Sequence, residues 1–257
     1  AAGGTLCIPT AFCSYTGEAL DQKTPLLRSM EAINTQALRL LRLFGNTTSR
    51  RVTPSVGAEQ EYFLVDKEKY MQRKDLVYTG RTLFGAMPPK GQEMDDHYFG
   101  TIRQRISAYM KEVNEECWKL GVTAKTQHNE VAPAQHEIDF KYDNALRTAD
   151  NILTFKFIVK YIAKRHGLYA SFMPKPITGV DGSGMHLNMS LWKNGKNIFA
   201  DSKNELGISD EAFYFMAGVM EHANEMCLIT NPLVNSYKRI VPGYEAPVDV
   251  SWSPSNR

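Results

Sequence analysis

Hydrophobic and polar residues recur along the chain with two different periods, and each period predicts a type of element. Residues 24–44 carry apolar side chains at three- and four-residue spacing, which predicts an amphipathic helix with Thr24 as its N-cap and Gly45 at its end. Residues 56–65 are rich in aromatic and branched side chains, which predicts a strand. Residues 66–96 are mixed and contain glycines and prolines, so we expect this stretch to be mostly loop.

The remaining chain mixes helical and strand-like patterns. Helical periodicity is found in three further segments, two of which stop at a glycine: 98–120 (before Gly121), 143–166 (before Gly167) and 209–229. Strand-like patterns are found in three others: 122–140, bent at Ala132-Pro133, then 168–174 and 184–192. The tail from Asn231 onward is expected to be loop-rich. Adjacent strands with unevenly placed helices predict an α+β fold rather than a regularly alternating α/β sheet.

Composition and charge are those of an ordinary soluble globular protein. The chain has 257 residues, of which 43% are hydrophobic and 23% charged, enough for one large domain or two small ones. The net charge of +2 gives no reason to expect nucleic acid or an anionic membrane as a partner. No apolar run approaches the roughly 20 residues that cross a bilayer.

The start of the chain and its cysteines indicate the protein's setting. The first ten residues lack the basic start and apolar core of a secretory signal, and they do not begin with Met, so we expect a longer parent protein. The four cysteines show neither a CxxC pair nor zinc spacing: Cys7, Cys13, Cys117 and Cys227. Scattered reduced thiols are typical of a cytoplasmic protein, which is the location we expect.

Two carboxylates stand two residues apart in the first predicted strand. Glu59 and Glu61 therefore point to the same face, which Phe63 continues. Two acids beside apolar neighbours repel each other and lose hydration, and a divalent cation removes both costs. The alternative is an exposed strand face with two solvated acids.

A denser polar segment surrounds the bend at Ala132-Pro133. It holds two more carboxylates and two imidazoles: Glu130, Glu137, His128 and His136. All four are oxygen or nitrogen donors of the kind that Mg²⁺ or Mn²⁺ accepts. The alternative is a polar turn with one satisfied histidine.

Two later segments carry further candidates. A glycine-rich turn enters the strand in which His186, Asn188 and Ser190 alternate onto one face, although a solvated face is the more ordinary interpretation. In the tail, Lys238 and Arg239 suit a carboxylate or phosphate, and Glu245 lies in a turn that is able to fold over a site, although such residues are also common in surface loops.

Together these groups suit phosphoryl transfer, in which metals neutralise phosphates, arginines stabilise spreading charge and a mobile carboxylate deprotonates a nucleophile. Neither GxxxxGK[ST] nor GxGxxG occurs in the sequence, which excludes an ordinary P-loop or dinucleotide site.

Four motifs in order resemble the signatures of the glutamine synthetase family: AEQEYF, HNEVAPAQHE, GSGMH and NPLVNSYKRIVPGYEAP. The resemblance covers essentially the whole chain, and the last motif is long enough to be highly specific. Residues 1 to about 127 look like the long type III class, and residues from about 138 to 257 look like the bacterial type I class. A natural mosaic and an engineered or artificial hybrid would both show this division.

The resemblance implies a glutamine synthetase catalytic-domain fold, α+β, in which an antiparallel sheet with packed helices lines a metal site. It implies Mg²⁺ or Mn²⁺ as cofactor, in two or more ions, and ATP as co-substrate. By resemblance, Glu61, Glu130 and Glu137 hold the ion that binds glutamate. Glu59 and His186 hold the ion that binds the phosphates of ATP.

The resemblance also implies the remaining roles. Arg239 resembles a binder of the glutamate carboxylate, and Glu245 resembles the flap carboxylate that closes the site and helps deprotonate ammonium. Arg257 resembles the arginine that contacts the transferred phosphoryl group. Asn188 and Ser190 match the nucleotide side of the site. The implied reaction joins ammonia to glutamate through γ-glutamyl phosphate.

Three departures from the family pattern bear on these expectations. Asp181 precedes Gly182 where the family usually has an Asn that helps hold glutamate, so like-charge repulsion predicts that Asp181→Asn tightens glutamate binding. We expect residues 1–257 to be an incomplete catalytic domain that lacks the small N-terminal domain and the C-terminal part. Those missing parts include an ammonium-binding Asp, another metal-binding Glu and further arginines.

Three functions are compatible with this sequence. The first is an ATP-dependent glutamate–ammonia ligase. The second is a γ-glutamyl ligase for another amine, which Asp181 would suit if the acceptor were cationic. The third is an inactive metal- or nucleotide-binding fragment with a structural role. The family's active sites lie between subunits, so we expect a homo-oligomer whose partners are glutamate, ammonium and ATP.

Overall fold

The structure, a computed structural model, describes Leu6, residues 8–86 and residues 90–254. Its centre is a five-stranded sheet in the order β3-β4-β2-β6, in which β7 also pairs with β2 and every pairing is antiparallel. The bounds of these strands are β2 (Ala58–Asp66), β3 (Ala124–Asn129), β4 (Gln135–Phe140), β6 (Leu168–Ser171) and β7 (Met185–Leu187). One side of β2 pairs with β4, and the other side pairs with β7 at its start and β6 at its end.

Short ladders and helices surround the sheet. The two-stranded ladders join β1 (Ser55–Val56) to β5 (Asp143–Asn144) and β8 (Trp192–Lys193) to β9 (Lys196–Asn197). The helices are α1 (Lys23–Leu43), α2 (Lys67–Gln72), α3 (Lys74–Thr79), α4 (Asp96–Phe99), α5 (Gln104–Lys119), α6 (Ala145–Arg165), α7 (Asp210–Glu221), α8 (Ala223–Thr230) and α9 (Val234–Arg239), with a 3₁₀ turn at Glu93–Asp95. Within the described ranges, no helix is both long and apolar enough to cross a membrane.

The main core lies between one face of the sheet and the two long helices α5 and α6. Tyr62 and Leu64 enter it from β2, while Val113 comes from α5 and Phe155 from α6. Burying each such apolar side chain stabilises the fold by roughly 1.5–3 kcal/mol relative to leaving it in water. Because side chains alternate across a strand, this packing leaves Glu59 and Glu61 on the opposite face.

The long helices were predicted in the right places, but one cap was wrong. Thr24 lies inside α1 rather than before it, and its N–H donates to Asp21 Oδ1 over 2.9 Å. The Asp21 carboxylate therefore accepts a backbone N–H of the first turn, as the Thr24 side chain was expected to do. For α6, Asn144 is the N-cap, and its side chain accepts from the Arg147 N–H.

The expectation of loop at 66–96 is wrong for α2 and α3. Asp66 caps α2 by accepting the Lys69 N–H over 3.0 Å, and α3 ends at Gly80, which has a φ of +69°. Residues 66–80 are largely polar and resemble a turn in composition. The sequence pattern therefore did not reveal the two short helices that these residues begin and end.

Other predicted elements are shorter than their patterns suggested. The helix at 98–120 begins only at Gln104, because Gly100 is extended and separates α4 from α5. The helix at 209–229 is divided at His222 into α7 and α8. The two strands after α6 stop at Ser171 and Leu187, and the tail predicted as loop contains α9.

Candidate metal and substrate site

Strand register brings the acidic residues of the sheet to one face. Glu61 lies opposite Glu137 across the β2–β4 pairing, and Glu59 lies opposite His186 across the β2–β7 pairing. Directly opposed residues in an antiparallel pair place their side chains on the same face, about 4.5–5.5 Å apart at Cβ. The pairing therefore assembles a donor cluster from segments far apart in sequence.

A second set of donors comes from β3, from β4 and from the bend between them. His128 Nε2 lies 3.3 Å from Glu137 Oε2, and His128 Nδ1 lies 3.6 Å from Glu130 Oε1. One donor atom from each of these three side chains lies within 4.8 Å of the others, a spacing suited to a metal ion. The bend is held by the Glu130 N–H, which donates to the Gln135 carbonyl over 2.9 Å.

Burial and like charge shift the acids of this cluster. Burial raises the pKa of Glu61 to about 7, against the opposing effects of a hydrogen bond from the Gly184 N–H and the nearby Arg239 charge. Burial and a shared hydrogen bond with Glu130 raise the pKa of Glu137 as well. Carboxylates held together out of water favour a bound divalent cation, so the donor set fits Mg²⁺ or Mn²⁺.

The two histidines on either side of the bend have different surroundings and therefore different roles. His128 joins the donor cluster, although the family resemblance assigned it no ligand role. His136 is only 3% exposed, and its Nδ1 lies 3.1 Å from Asn129 Oδ1. Burial lowers the pKa of His136 to about 3, so it stays neutral and serves the core rather than the site.

The edge of the sheet carries the donors assigned to the second ion. His186 Nδ1 lies 3.3 Å from Glu59 Oε2, and Asn188 Nδ2 donates to Glu59 Oε1 over 2.8 Å. His186 Nε2 also lies 4.0 Å from Glu61 Oε1, which links the two halves of the cluster. Asn188 and Ser190 both lie beyond the end of β7 at Leu187, so the predicted strand face is wrong for both of them. The Ser190 Oγ accepts from Trp192 Nε1 over 2.8 Å.

The glycine-rich turn passes close to Arg239. A Cβ at Gly184 would lie 2.8 Å from Arg239 Nη2 and 3.0 Å from His186 Nε2, and a Cβ at Gly182 would overlap the Pro174 carbonyl oxygen. Gly182 needs glycine because a side chain would run into the backbone, whereas a side chain at Gly184 would have to displace the end of Arg239. Arg239 Nε is buried and has no hydrogen-bond partner within the described part of the chain, as expected of a donor that awaits an anion.

Asp181 and Glu245 meet beside this turn. The Glu245 N–H donates to Asp181 Oδ1 over 3.1 Å, and Asp181 is only 6% exposed. Partial loss of hydration and the charges of Asp181 and Glu130 raise the pKa of Glu245. Arg257, the predicted phosphoryl contact, lies outside the described residues.

Comparison with known proteins agrees with this geometry. The family "Glutamine synthetase, catalytic domain" matches residues 39–257, and "Glutamine synthetase type III N terminal" matches residues 1–29. The second match confirms the type III character of the first residues, while the type I character of the later part stays a prediction.

The individual proteins that the chain resembles are also glutamine synthetases. The chain is 51% identical over 193 residues to a type-3 glutamine synthetase from Dictyostelium discoideum, covering 75% of this chain and 26% of the relative. It is 60% identical over 205 residues to a glutamine synthetase from Clostridium saccharobutylicum, covering 80% of this chain and 43% of the relative. A cryo-EM structure of the Plasmodium falciparum glutamine synthetase superposes with a TM-score of 0.67 at 29% identity, covering 90% of this chain and 46% of that chain. The chain thus spans from about a quarter to under half the length of these relatives.

Proposed function

The chain belongs to the glutamine synthetase family, and we propose that its site performs the ATP-dependent ligation of ammonia to L-glutamate. The observation that carries the proposal is the convergence, on one side of the sheet, of buried carboxylates and an arginine whose buried Nε has no hydrogen-bond partner among the described residues. Glu61 and Glu137 meet across the strands, and the charge of Arg239 acts on Glu61. A site that holds both cations and an anionic substrate needs this combination.

The donors divide into two groups that suit two ions. Glu61, Glu130 and Glu137 would hold the first, with His128 at its edge, and Glu59 and His186 would hold the second. Bound Mg²⁺ or Mn²⁺ would supply positive charge that offsets the negative charge of the transferring phosphoryl group.

The substrate side is built from the glycine-rich turn and the tail. Arg239 binds a glutamate carboxylate through its planar fork, and the turn at Asp181 and Gly182 lets the substrate approach the backbone. Glu245 removes a proton from ammonium, a task that its raised pKa suits. We propose nucleotide binding for Asn188 and Ser190, and contact with the transferred phosphoryl group for Arg257, on the family resemblance alone.

The proposed reaction has two steps. A γ-carboxylate oxygen of glutamate attacks the γ-phosphorus of ATP, the bond to the bridging oxygen breaks, and ADP and γ-glutamyl phosphate form. Ammonium gives a proton to Glu245, and the ammonia so formed attacks the γ-carbonyl carbon. The bond to the phosphate oxygen breaks, phosphate leaves with the proton that the new amide nitrogen loses, and glutamine forms. The chain's residues orient the reactants and accept the proton.

The alternative function, a γ-glutamyl ligase for another amine, has less support. A cationic acceptor would need access to the Asp181 carboxylate, but this side chain is only 6% exposed and is turned toward Gln92 Nε2 and the Glu245 N–H, which donate to its two oxygens. Ammonia is therefore the acceptor that we propose.

We place the reaction in the cytoplasm, where ATP is present and thiols stay reduced. Cys13, Cys117 and Cys227 are all free thiols. We also propose a homo-oligomer with shared active sites. Supporting this, α6 exposes an apolar row of Leu153, Phe157 and Tyr161 on its outer side.

Phosphate release from ATP in the presence of Mg²⁺ tests the proposed reaction. Glutamate and ammonium are added separately and then together, and we expect release to require both. Glu245→Gln removes the proton acceptor and should lower the rate by about 100-fold or more. Asp249→Asn, an equal charge change at an exposed residue of the same segment, should have little effect. A folded chain that binds Mn²⁺ yet releases no phosphate contradicts the proposal.

A further inference from the structure

Asp181 joins three segments that are distant in sequence. Its Oδ2 accepts from Gln92 Nε2 over 2.8 Å, and its own N–H donates to Gln92 Oε1 over 2.7 Å. Its Oδ1 accepts from the Glu245 N–H over 3.1 Å. One buried carboxylate therefore ties the loop at 90–96 to the glycine-rich turn and to the loop at 243–246.

A second contact fastens the same loop. Lys175 Nζ lies 4.0 Å from the centre of the Tyr244 ring and also donates to the Val180 carbonyl. The backbone of Lys175 is itself held, because its N–H donates to Asn235 Oδ1 and its carbonyl accepts from Asn235 Nδ2, over 2.7 and 3.0 Å. The Lys175 cation over the Tyr244 ring therefore holds one residue of this loop, and the hydrogen bond from the Glu245 N–H to the Asp181 carboxylate holds the next.

We infer that Asp181 is a positioning residue that latches the loop at 243–246 beside the metal site, with Gln92 holding the Asp181 carboxylate in place. The set formed by Gln92, Asp181 and the Glu245 N–H is called the latch below. The inference rests on the proposed function only in giving the Glu245 carboxylate a chemical role.

The latch explains why a carboxylate suits this position. Asp offers two acceptor oxygens, one for Gln92 Nε2 and one for the Glu245 N–H. Asn would offer one oxygen and would turn its own NH₂ donor toward one of these donors. Removing one partner of a buried hydrogen-bonded charge leaves a group unsatisfied, which costs more than the hydrogen bond itself contributes.

The latch also places Glu245 beside the other acids of the site. The pKa of Glu245 is raised by lost hydration and then by Asp181 and Glu130, while His186 acts in the opposite direction. A loop held by the latch therefore keeps the Glu245 carboxylate within electrostatic range of the donor cluster. When the latch opens, that carboxylate is free to move away.

Hydrogen–deuterium exchange of the peptide spanning residues 241–248 tests the latch without any need for activity. Asp181→Asn and Gln92→Leu should each lower its protection about tenfold, as expected for loss of a hydrogen bond to a charged acceptor. Two controls are matched to them. Asp249→Asn makes the same exchange at an exposed residue outside the latch, and Gln104→Leu makes the other exchange at an exposed residue of α5; both should leave the protection unchanged.

Gln92→Glu distinguishes the latch from a general loss of structure. At pH 8 the new carboxylate faces Asp181 and Asp95, and like-charge repulsion should open the latch. When protonated, Glu again has one donor and one acceptor in the places of the Gln amide. Protection factors, corrected for the intrinsic pH dependence of exchange, should therefore recover toward wild type at pH 5 in Gln92→Glu but not in Gln92→Leu.

Glutamate affinity provides a second readout with a definite sign. Loss of the latch predicts weaker binding by Asp181→Asn, whereas charge repulsion alone predicts tighter binding. Tighter binding with unchanged protection overturns the latch, and so does unchanged protection in both Asp181→Asn and Gln92→Leu. A latched chain that releases no phosphate overturns the proposed reaction and leaves the latch standing.

Discussion

Glu61 has the surroundings least like water among the proposed metal ligands. It is 6% exposed, it accepts from Gln135 Nε2 over 2.7 Å, and it faces Glu137 across the sheet. Two hydrogen bonds and a nearby arginine do not offset its burial, so its pKa stays raised. A bound cation is the partner that this carboxylate lacks.

The raised pKa of Glu61 makes the stability of the metal-free protein depend on pH. Between the ordinary value of 4.5 and the folded value of about 7, the folded state binds more protons at this group than the unfolded state. The free energy of unfolding therefore falls as pH rises through this window, by about 3 kcal/mol at most. Urea unfolding at pH 5 and pH 8 with a chelator measures the change.

Glu61→Gln is the matched control for this pH dependence. The amide keeps the size of the side chain but does not titrate, so the variant should lose the part of the slope that Glu61 supplies. A variant with the same slope as wild type would show that Glu61 does not titrate in this range.

At the scale of elements, the glycine-rich turn and α9 fit together because the turn lacks side chains. A Cβ at Gly184 would stand 2.8 Å from Arg239 Nη2 and 3.0 Å from His186 Nε2, so both side chains occupy the space that the glycine leaves free. Neither element alone forms an anion site, since the turn supplies the space and the helix supplies the charge.

Gly184→Ala should therefore displace Arg239 and weaken glutamate binding about tenfold, while the flexible arginine limits the loss of stability. Calorimetric titration with glutamate in the presence of Mn²⁺ measures the affinity. Gly218→Ala is the control, because a Cβ at this helical glycine meets nothing within 4 Å. It should raise stability by about 0.5–1 kcal/mol and leave the affinity unchanged. Equal affinities in the two variants would contradict the role of Arg239.

At the scale of the whole molecule, the donor cluster couples metal binding to folding. Its ligands come from β2, β4, β7 and the bend before β4, so they converge only in the folded chain. A ligand that binds only the folded state raises stability by mass action.

Mn²⁺ at a hundredfold excess over its dissociation constant should therefore stabilise the chelator-treated protein by about 2.7 kcal/mol. This corresponds to a rise in Tm of about 5–10 °C for a domain of this size. Differential scanning calorimetry measures the shift. Glu130→Ala removes an anionic ligand and should reduce both the shift and the Mn²⁺ affinity, whereas Glu115→Ala, at an exposed side chain of α5, should not. A full shift in Glu130→Ala would remove Glu130 from the ligand set.

Local patterns in the sequence determined the central strand β2, the long helices α1, α5 and α6, and most candidate ligands. The period of two placed Glu59 and Glu61 on one strand face, and the four motifs identified the family. These features depend on residues close together in the chain, whose spacing alone decides which face they share.

Tertiary structure alone decided which of the candidates meet. Register brought Glu61 to Glu137, drew His128 into the donor cluster and buried His136 in the core. The sequence alone suggested that Asp181 repels the glutamate substrate. Its hydrogen-bond partner Gln92 lies 89 residues away along the chain, so the sequence did not reveal this pairing. Such pairings depend on how strands and loops pack together, and that information is not contained in the periodicity of any one segment.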